Sequence, residues 1–154
     1  MQSSRTGPVA PRAGERLLAA ADAIAVIRLA LHQPLRHETV VVFRDADARA
    51  GTIVVVSGTF SRDAVITVCE VLSAAVGRDH HRAEASGLVV ASVRPDQPMT
   101  PDDLDRWLEA ADVTEEAGSE LVEWFIVTGD AESPRFECPR DALGEPPRWR
   151  TLRT

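Results

Sequence analysis

The sequence contains no lysine, asparagine or tyrosine, and only two cysteines among its 154 residues. Two cysteines are too few to build a disulfide scaffold, and Cys69 and Cys138 lie too far apart in sequence for a zinc knuckle. We therefore expect both thiols to be reduced, which predicts a cytoplasmic location.

Positive charge is also scarce, since 17 basic residues face 24 acidic ones and the formal net charge is -7. Non-specific nucleic-acid binding needs a cationic surface that neutralises phosphates, so a nucleic-acid partner is not expected. The most apolar N-terminal stretch, Leu17 to Leu31, is interrupted by Asp22 and Arg28 and no cleavage pattern follows it. It predicts neither a signal peptide nor a membrane span.

Several catalytic motifs are missing. The chain has no glycine-rich phosphate loop, no G-x-S-x-G, no C-x-x-C pair and no H-E-x-x-H helix. Nucleotide hydrolysis, esterase chemistry and standard zinc-peptidase chemistry therefore have no motif support. What remains is 44% hydrophobic residues, which suits one ordinary domain with a core.

Residues 1–12 are polar and predict a flexible leader, residues 13–134 a single domain, and residues 135–154 a C-terminal arm or strap. Within the domain, hydrophobic periodicity alternates between helical and extended stretches. Helices that separate strands predict an α/β or α+β sandwich with helices covering the sheet. The expected helices are 17–31, 61–77 and 100–117, and the expected strands are 38–43, 52–58, 87–93, 121–129 and 135–138.

The most informative segment, residues 92–107, joins a buried strand to a helix. Thr100-Pro101-Asp102-Asp103 has the ordinary pattern of a helix start, with a hydroxyl cap, proline at the first helical position and acids in the first turn. The first interpretation of Asp103 is therefore structural.

The order of elements, together with this turn, resembles the JAB/MPN metalloprotease-like fold, specifically its bacterial RadC-like branch. The resemblance spans roughly residues 38–129. It implies a mixed, curved, cytidine-deaminase-like sheet with helices on both faces. In that family a glutamate on an early strand faces an H-x-H-P turn and a following Ser-x-x-Asp, which together hold a zinc ion and its water.

Matched to that pattern, Glu38 takes the position of the family's glutamate, and Ser92 and Arg94 replace its two histidines. Thr100 and Asp103 match Ser-x-x-Asp, but the turn is two residues shorter. Neither a hydroxyl nor a guanidinium replaces a neutral imidazole on zinc. We therefore expect no metal cofactor and no hydrolysis, in a domain that binds or scaffolds other proteins. Arg94 is expected to pair with Asp103, and Glu38 is a candidate for a second contact with it.

Two alternatives remain open at this level. In the first, a metal-dependent hydrolase acts on peptide or isopeptide bonds, with Glu38 as the base and zinc held by Asp103 with His80 or His81. The non-functional interpretation of Asp79-His80-His81 is a solvated loop, because neighbouring imidazoles there lack fixed supporting contacts. In the second, the resemblance is coincidental and the chain is a small α/β subunit of a larger assembly.

The C-terminal residues carry arginines and an aromatic anchor, Arg148-Trp149, after two prolines. Such a segment is typical of an arm that docks on a protein partner or a second copy, and equally of a strap that folds back on its own domain. The three tryptophans are expected to pack in the core or at its edge, because their neighbours are acidic or apolar rather than cationic.

Overall fold

The computed structural model describes residues 16–77 and 85–149, and the predictions for the leader 1–12, for Asp79, His80 and His81, and for residues 150–154 lie outside this part. Helices and strands follow in the order α1 (Ala20–Ala30), β1 (Glu38–Asp45), β2 (Ala50–Ser57), α2 (Ala64–Gly77), β3 (Ala85–Val93), α3 (Asp102–Glu116), β4 (Glu120–Gly129), β5 (Pro134–Glu137) and α4 (Pro139–Leu143).

The five strands form one mixed sheet in the order β2-β1-β3-β4-β5. β1 runs antiparallel to both β2 and β3, whereas β3 and β4 are parallel and are joined through α3. The expected hairpin is confirmed: the Asp45 carboxylate accepts the backbone N–H groups of Asp47 and Arg49, and Ala48 adopts φ 67° between the strands. Asp45 therefore shapes the turn through its side chain.

Side chains alternate between two cores on opposite faces of the sheet. Val40 and Val42 of β1 lie in the core that α1 covers, whereas Val41 and Phe43 lie in the core that α2 and α3 cover. Trp107 and Trp124 are fully buried in the second core, as expected, and Trp149 joins the first. The predicted mixture of a sheet and covering helices is confirmed. No helix of the described residues is long and apolar enough to span a bilayer.

Several boundaries differ from the predictions for local physical reasons. The first helix begins at Ala20 rather than Leu17, because the Leu17 backbone N–H donates to the Ala48 carbonyl at 2.7 Å while its side chain is buried. The Asp22 carboxylate then accepts the N–H groups of Leu18 and Ala19 at the helix start.

The C-terminal residues contain a helix that periodicity did not predict. α4 has Pro139 at its first position and ends at Gly144, which adopts φ 75°. Beyond it, Trp149 is only 9% exposed, and the buried Arg44 guanidinium donates to its carbonyl oxygen. The Arg148 guanidinium lies 5.1 Å from the centre of the Trp107 ring. As far as Trp149, the segment therefore packs against its own domain.

Candidate functional site

The turn between β3 and α3 holds a buried ion pair. Arg94 follows the last residue of β3, and its Nη1 and Nη2 atoms donate to Oδ1 and Oδ2 of Asp103 at 3.1 and 2.9 Å. Their side chains are 3% and 0% exposed. Arg94 also donates to the carbonyl oxygens of Gln97 and Pro98, so the guanidinium holds the turn and the carboxylate together.

The Asp103 carboxylate accepts four hydrogen bonds in total. Besides the two from Arg94, Oδ2 accepts the backbone N–H of Thr100 at 2.9 Å, and Oδ1 accepts Arg106 Nη1 at 3.0 Å. Burial by itself would raise the pKa of Asp103, but the bonds from Arg94, Thr100 and Arg106 outweigh it and hold that pKa below its usual value. Four donors fill the acceptor capacity of a carboxylate.

The expected start of α3 is partly corrected. α3 begins at Asp102 with Pro101 at the cap position, and no side chain caps that position. The Thr100 hydroxyl therefore does not have its predicted role. The carboxylate of Asp103 instead binds the Thr100 N–H, so this acid both ends the turn and pairs with Arg94.

Arg106 extends the pair to the neighbouring helix. Its Nε donates to Oδ1 of Asp63, just before α2, at 2.8 Å, and Arg62 donates to the Pro98 carbonyl oxygen at 3.2 Å. The starts of α2 and α3 are thus tied together across the face of the sheet. We call Arg94, Asp103, Arg106 and Asp63 the charge cluster.

Ser92 lies beside this cluster but belongs to the core. Its Oγ accepts the indole N–H of Trp124 at 2.9 Å, and the residue is 6% exposed. A buried indole N–H needs an acceptor, and the Ser92 hydroxyl supplies it. Ser92 is therefore engaged in packing a tryptophan of the second core.

Glu38 is not part of the charge cluster, which corrects the expectation that it pairs with Arg94. It is opposite Val93 in the sheet and shares the face of Val40 and Val42, whereas Ser92 faces the side of α2 and α3. Glu38 is 1% exposed, and Nδ1 of His32 lies 2.9 Å from its Oε1 and 3.0 Å from its Oε2. Only the contact to Oε2 has hydrogen-bond geometry, so Oε1 accepts no hydrogen bond from the residues that the structure describes.

The residues at the three matched positions do not fit a zinc ion. Arg94 is a cation, the Ser92 hydroxyl is bound to an indole, and Asp103 has no acceptor site left for a metal. Across 16–77 and 85–149, no three His, Cys, Asp or Glu side chains are grouped in a way that could hold a metal ion. In the hydrolase alternative Glu38 would act together with Asp103, but these two residues lie on opposite faces of the sheet. The other ligands of that alternative, His80 and His81, lie outside the described residues.

A second buried ion pair was missed at the sequence level. Glu123 in β4 is fully buried, and its Oε2 accepts Arg140 Nε of α4 at 3.0 Å. Arg140 also donates to the Glu145 carbonyl oxygen at 2.6 Å. Burial and the nearby Glu123 carboxylate raise the pKa of the Cys138 thiol to about 12. Pro139 and Gly144, which flank α4, are sequence features from which the helix could have been predicted. No local sequence pattern indicates that Arg140 pairs with Glu123 in β4.

Comparison with known proteins gives no assignment: no family model matches the chain, and neither the curated proteins nor the solved structures contain a match.

Proposed function

We propose that this protein is a non-catalytic domain that binds or scaffolds other proteins, and that it is a RadC-like relative of the JAB/MPN fold in which an ion pair has replaced the metal site. The observation that carries the proposal is the closed contact of Arg94 with Asp103. A guanidinium fixed by a bidentate bond places a permanent positive charge where the resemblance places a divalent cation.

The charges of the cluster oppose metal binding directly. Two guanidinium groups contact Asp103, and a divalent ion would have to displace at least one of them before it could reach a carboxylate oxygen. Displacement would also leave a buried cation without its partner, which is costly. The cluster is therefore suited to holding two helix starts in a fixed geometry.

Hydrolysis lacks its other requirement as well. A general base must reach the water that a metal activates, and the only carboxylate that the resemblance offers, Glu38, faces the opposite core. The mixed sheet, with helices on both of its faces, agrees with the architecture that the resemblance implies. The rigid turn between β3 and α3 then serves as a binding platform.

Metal analysis of the full chain, purified from zinc-supplemented cells, tests the proposal. We expect far less than one zinc ion per chain, and no peptidase or isopeptidase turnover that a chelator abolishes. A zinc content near one per chain would overturn the proposal, because it would show that the charge cluster opens to admit a metal.

A graft of the missing ligands tests the resemblance itself. The double variant Ser92→His/Arg94→His restores an H-x-H-P turn next to Asp103. The matched control Ser92→His/Arg135→His adds the same number of histidines but places one on the exposed part of β5. We expect about one zinc ion per chain in the graft and none above background in the control. If the graft folds but binds no more zinc than the control, the resemblance to the JAB/MPN fold is coincidental, and the alternative of a small α/β subunit of a larger assembly is favoured.

A further inference from the structure

The two edges of the sheet differ in how they are protected against pairing with other strands. β5, at one edge, has four residues that include Pro134, Arg135 and Glu137. Proline and charged side chains on a short strand are the usual means by which proteins block an edge. β2, at the other edge, has eight residues (AGTIVVVS) without a charge or a proline. β2 therefore lacks the proline and the charges that protect β5, although its pairing with β1 is irregular between Ala50 and Ile53.

The unprotected edge is also exposed and apolar. Ile53 and Val55 of β2 are 43% and 38% exposed, on the α1 side of the sheet, while Val54 and Val56 pack toward α2 and α3. Among the described residues, the outer side of this edge has a bridge only from Arg16 to Arg49, just before the strand. The outer edge of residues 51–57 thus presents backbone N–H and C=O groups without a strand partner in the described part of the chain.

We propose that β2 is an interface at which two copies of this chain pair their β2 strands antiparallel, so that two sheets join into one. Identical strands that run antiparallel satisfy a two-fold axis. The unpaired stretch 51–57 is centred on Val54. With the axis at Val54, Ile53 of each copy lies opposite Val55 of the other, which buries both exposed side chains in aliphatic pairs.

Electrostatics favours this stretch over the rest of the surface. The chain carries a net charge of -7, so most contacts between two copies bring like charges together. β2 has no ionisable side chain, so its pairing adds no such repulsion. The neutral strand is consequently the surface where self-association costs least.

The chain's own N-terminal residues are a poorer occupant of this edge. Arg16 bridges Arg49 in an antiparallel sense, and the Leu17 N–H donates to the Ala48 carbonyl oxygen. Continued in that register, residues 8–14 would pair with residues 51–57, and this segment contains Pro8 and Pro11. Proline has no N–H to donate and is rare inside strands, so this sequence is poorly suited to form one. A second copy of β2 has no such defect.

The expected dimer is weak. One pair of strands with a small apolar contact buries less than the roughly 1,600 Å² of a standard interface, so we expect a dissociation constant on the order of tens of micromolar. Sedimentation of the full chain from about 1 to about 500 µM should show the mass rising from one chain toward two as mass action requires.

A matched pair of variants locates the contact. Ile53→Lys places a charge on the edge, and Leu108→Lys does the same on α3 at an equal exposure of 43%. We expect Ile53→Lys to remain a single chain at every concentration and Leu108→Lys to associate like the unmodified protein. A monomer throughout for the unmodified protein, or equal association of the two variants, would overturn the proposal.

Hydrogen exchange separates the two possible occupants without relying on either variant. If a second copy pairs with β2, protection of the amides in residues 51–57 increases with protein concentration. Protection that is constant with concentration and is lost when residues 1–15 are removed would assign the edge to the N-terminal residues instead, and the proposal would be wrong.

Discussion

Asp103 and Glu38 are both buried carboxylates at the same end of the sheet, but their surroundings differ. Asp103 accepts four hydrogen bonds, three of them from guanidinium groups. Within the described part of the chain, Glu38 contacts one imidazole and its Oε1 has no donor. The His32 side chain is 41% exposed, while Arg94 is 3% exposed. Burial alone therefore does not define what a carboxylate does. The number of its donors and their exposure decide how firmly a buried carboxylate is held.

The largest expected effect comes from removing the cation that closes Asp103. Arg94→Ala should lower the free energy of unfolding by about 3–5 kcal/mol, because it leaves a carboxylate buried with its main partner gone. Urea denaturation measures the loss. Arg135→Ala, on the exposed part of β5, is the control and should change stability by less than about 0.5 kcal/mol. Equal losses in the two variants would contradict the account.

Glu123 extends the comparison to a third buried carboxylate. Its partner Arg140 lies on the five-residue helix α4 near the C-terminus. Short elements near chain ends are in general those whose local opening costs least. Arg140→Ala should therefore cost about 2 kcal/mol, less than Arg94→Ala. Urea denaturation of both variants under the same conditions measures the two losses in unfolding free energy. A larger loss for Arg140→Ala than for Arg94→Ala would contradict this ranking.

His32→Ala should have a smaller effect, about 1 kcal/mol, because water can approach Glu38 from the exposed side of the missing ring. The matched variant is Asp96→Ala, which removes the 80% exposed partner of His37 and should cost less than about 0.5 kcal/mol. Thermal unfolding compares the two. A loss from His32→Ala as large as that from Arg94→Ala would remove the distinction between the two carboxylates.

The smallest effect is expected at acid pH. The pKa of Asp103 is lower in the folded chain than its ordinary value, so the unfolded chain binds the proton first as pH falls. The stability that Asp103 contributes is complete above about pH 4 and declines below it, as pH falls toward the folded pKa. The difference in unfolding free energy between the unmodified protein and Asp103→Asn should shrink below pH 4. A difference independent of pH would contradict this assignment.

The sequence predicted most of the strands and helices because their patterns are local. β-branched runs marked the central strands, and the stripe of Val65, Val68 and Cys69 placed one side of α2 in the core. The Arg94–Asp103 pair could also be predicted from the sequence, since both residues flank a single short turn. Contacts between residues close in sequence can be inferred from spacing.

The face on which Glu38 lies could not be inferred in this way. β1 is buried on both sides, so its sequence shows no alternation of polar and apolar residues that would assign a face. The contacts of Glu123 with Arg140 and of Arg44 with Trp149 join residues far apart along the chain. Such contacts depend on the register of the whole sheet and on the path of the C-terminal residues, which no local pattern specifies.

Arg94 acts on Asp103 and not on Glu38, and a double-mutant cycle measures this difference. Unfolding free energies are measured for Arg94→Ala, Asp103→Asn, Glu38→Gln and the two double variants that contain Arg94→Ala. We expect a coupling energy of about 2 kcal/mol or more between positions 94 and 103, and less than about 0.5 kcal/mol between positions 94 and 38. Similar coupling in both cycles would show that the three charges form one site, which contradicts the separation of the two faces.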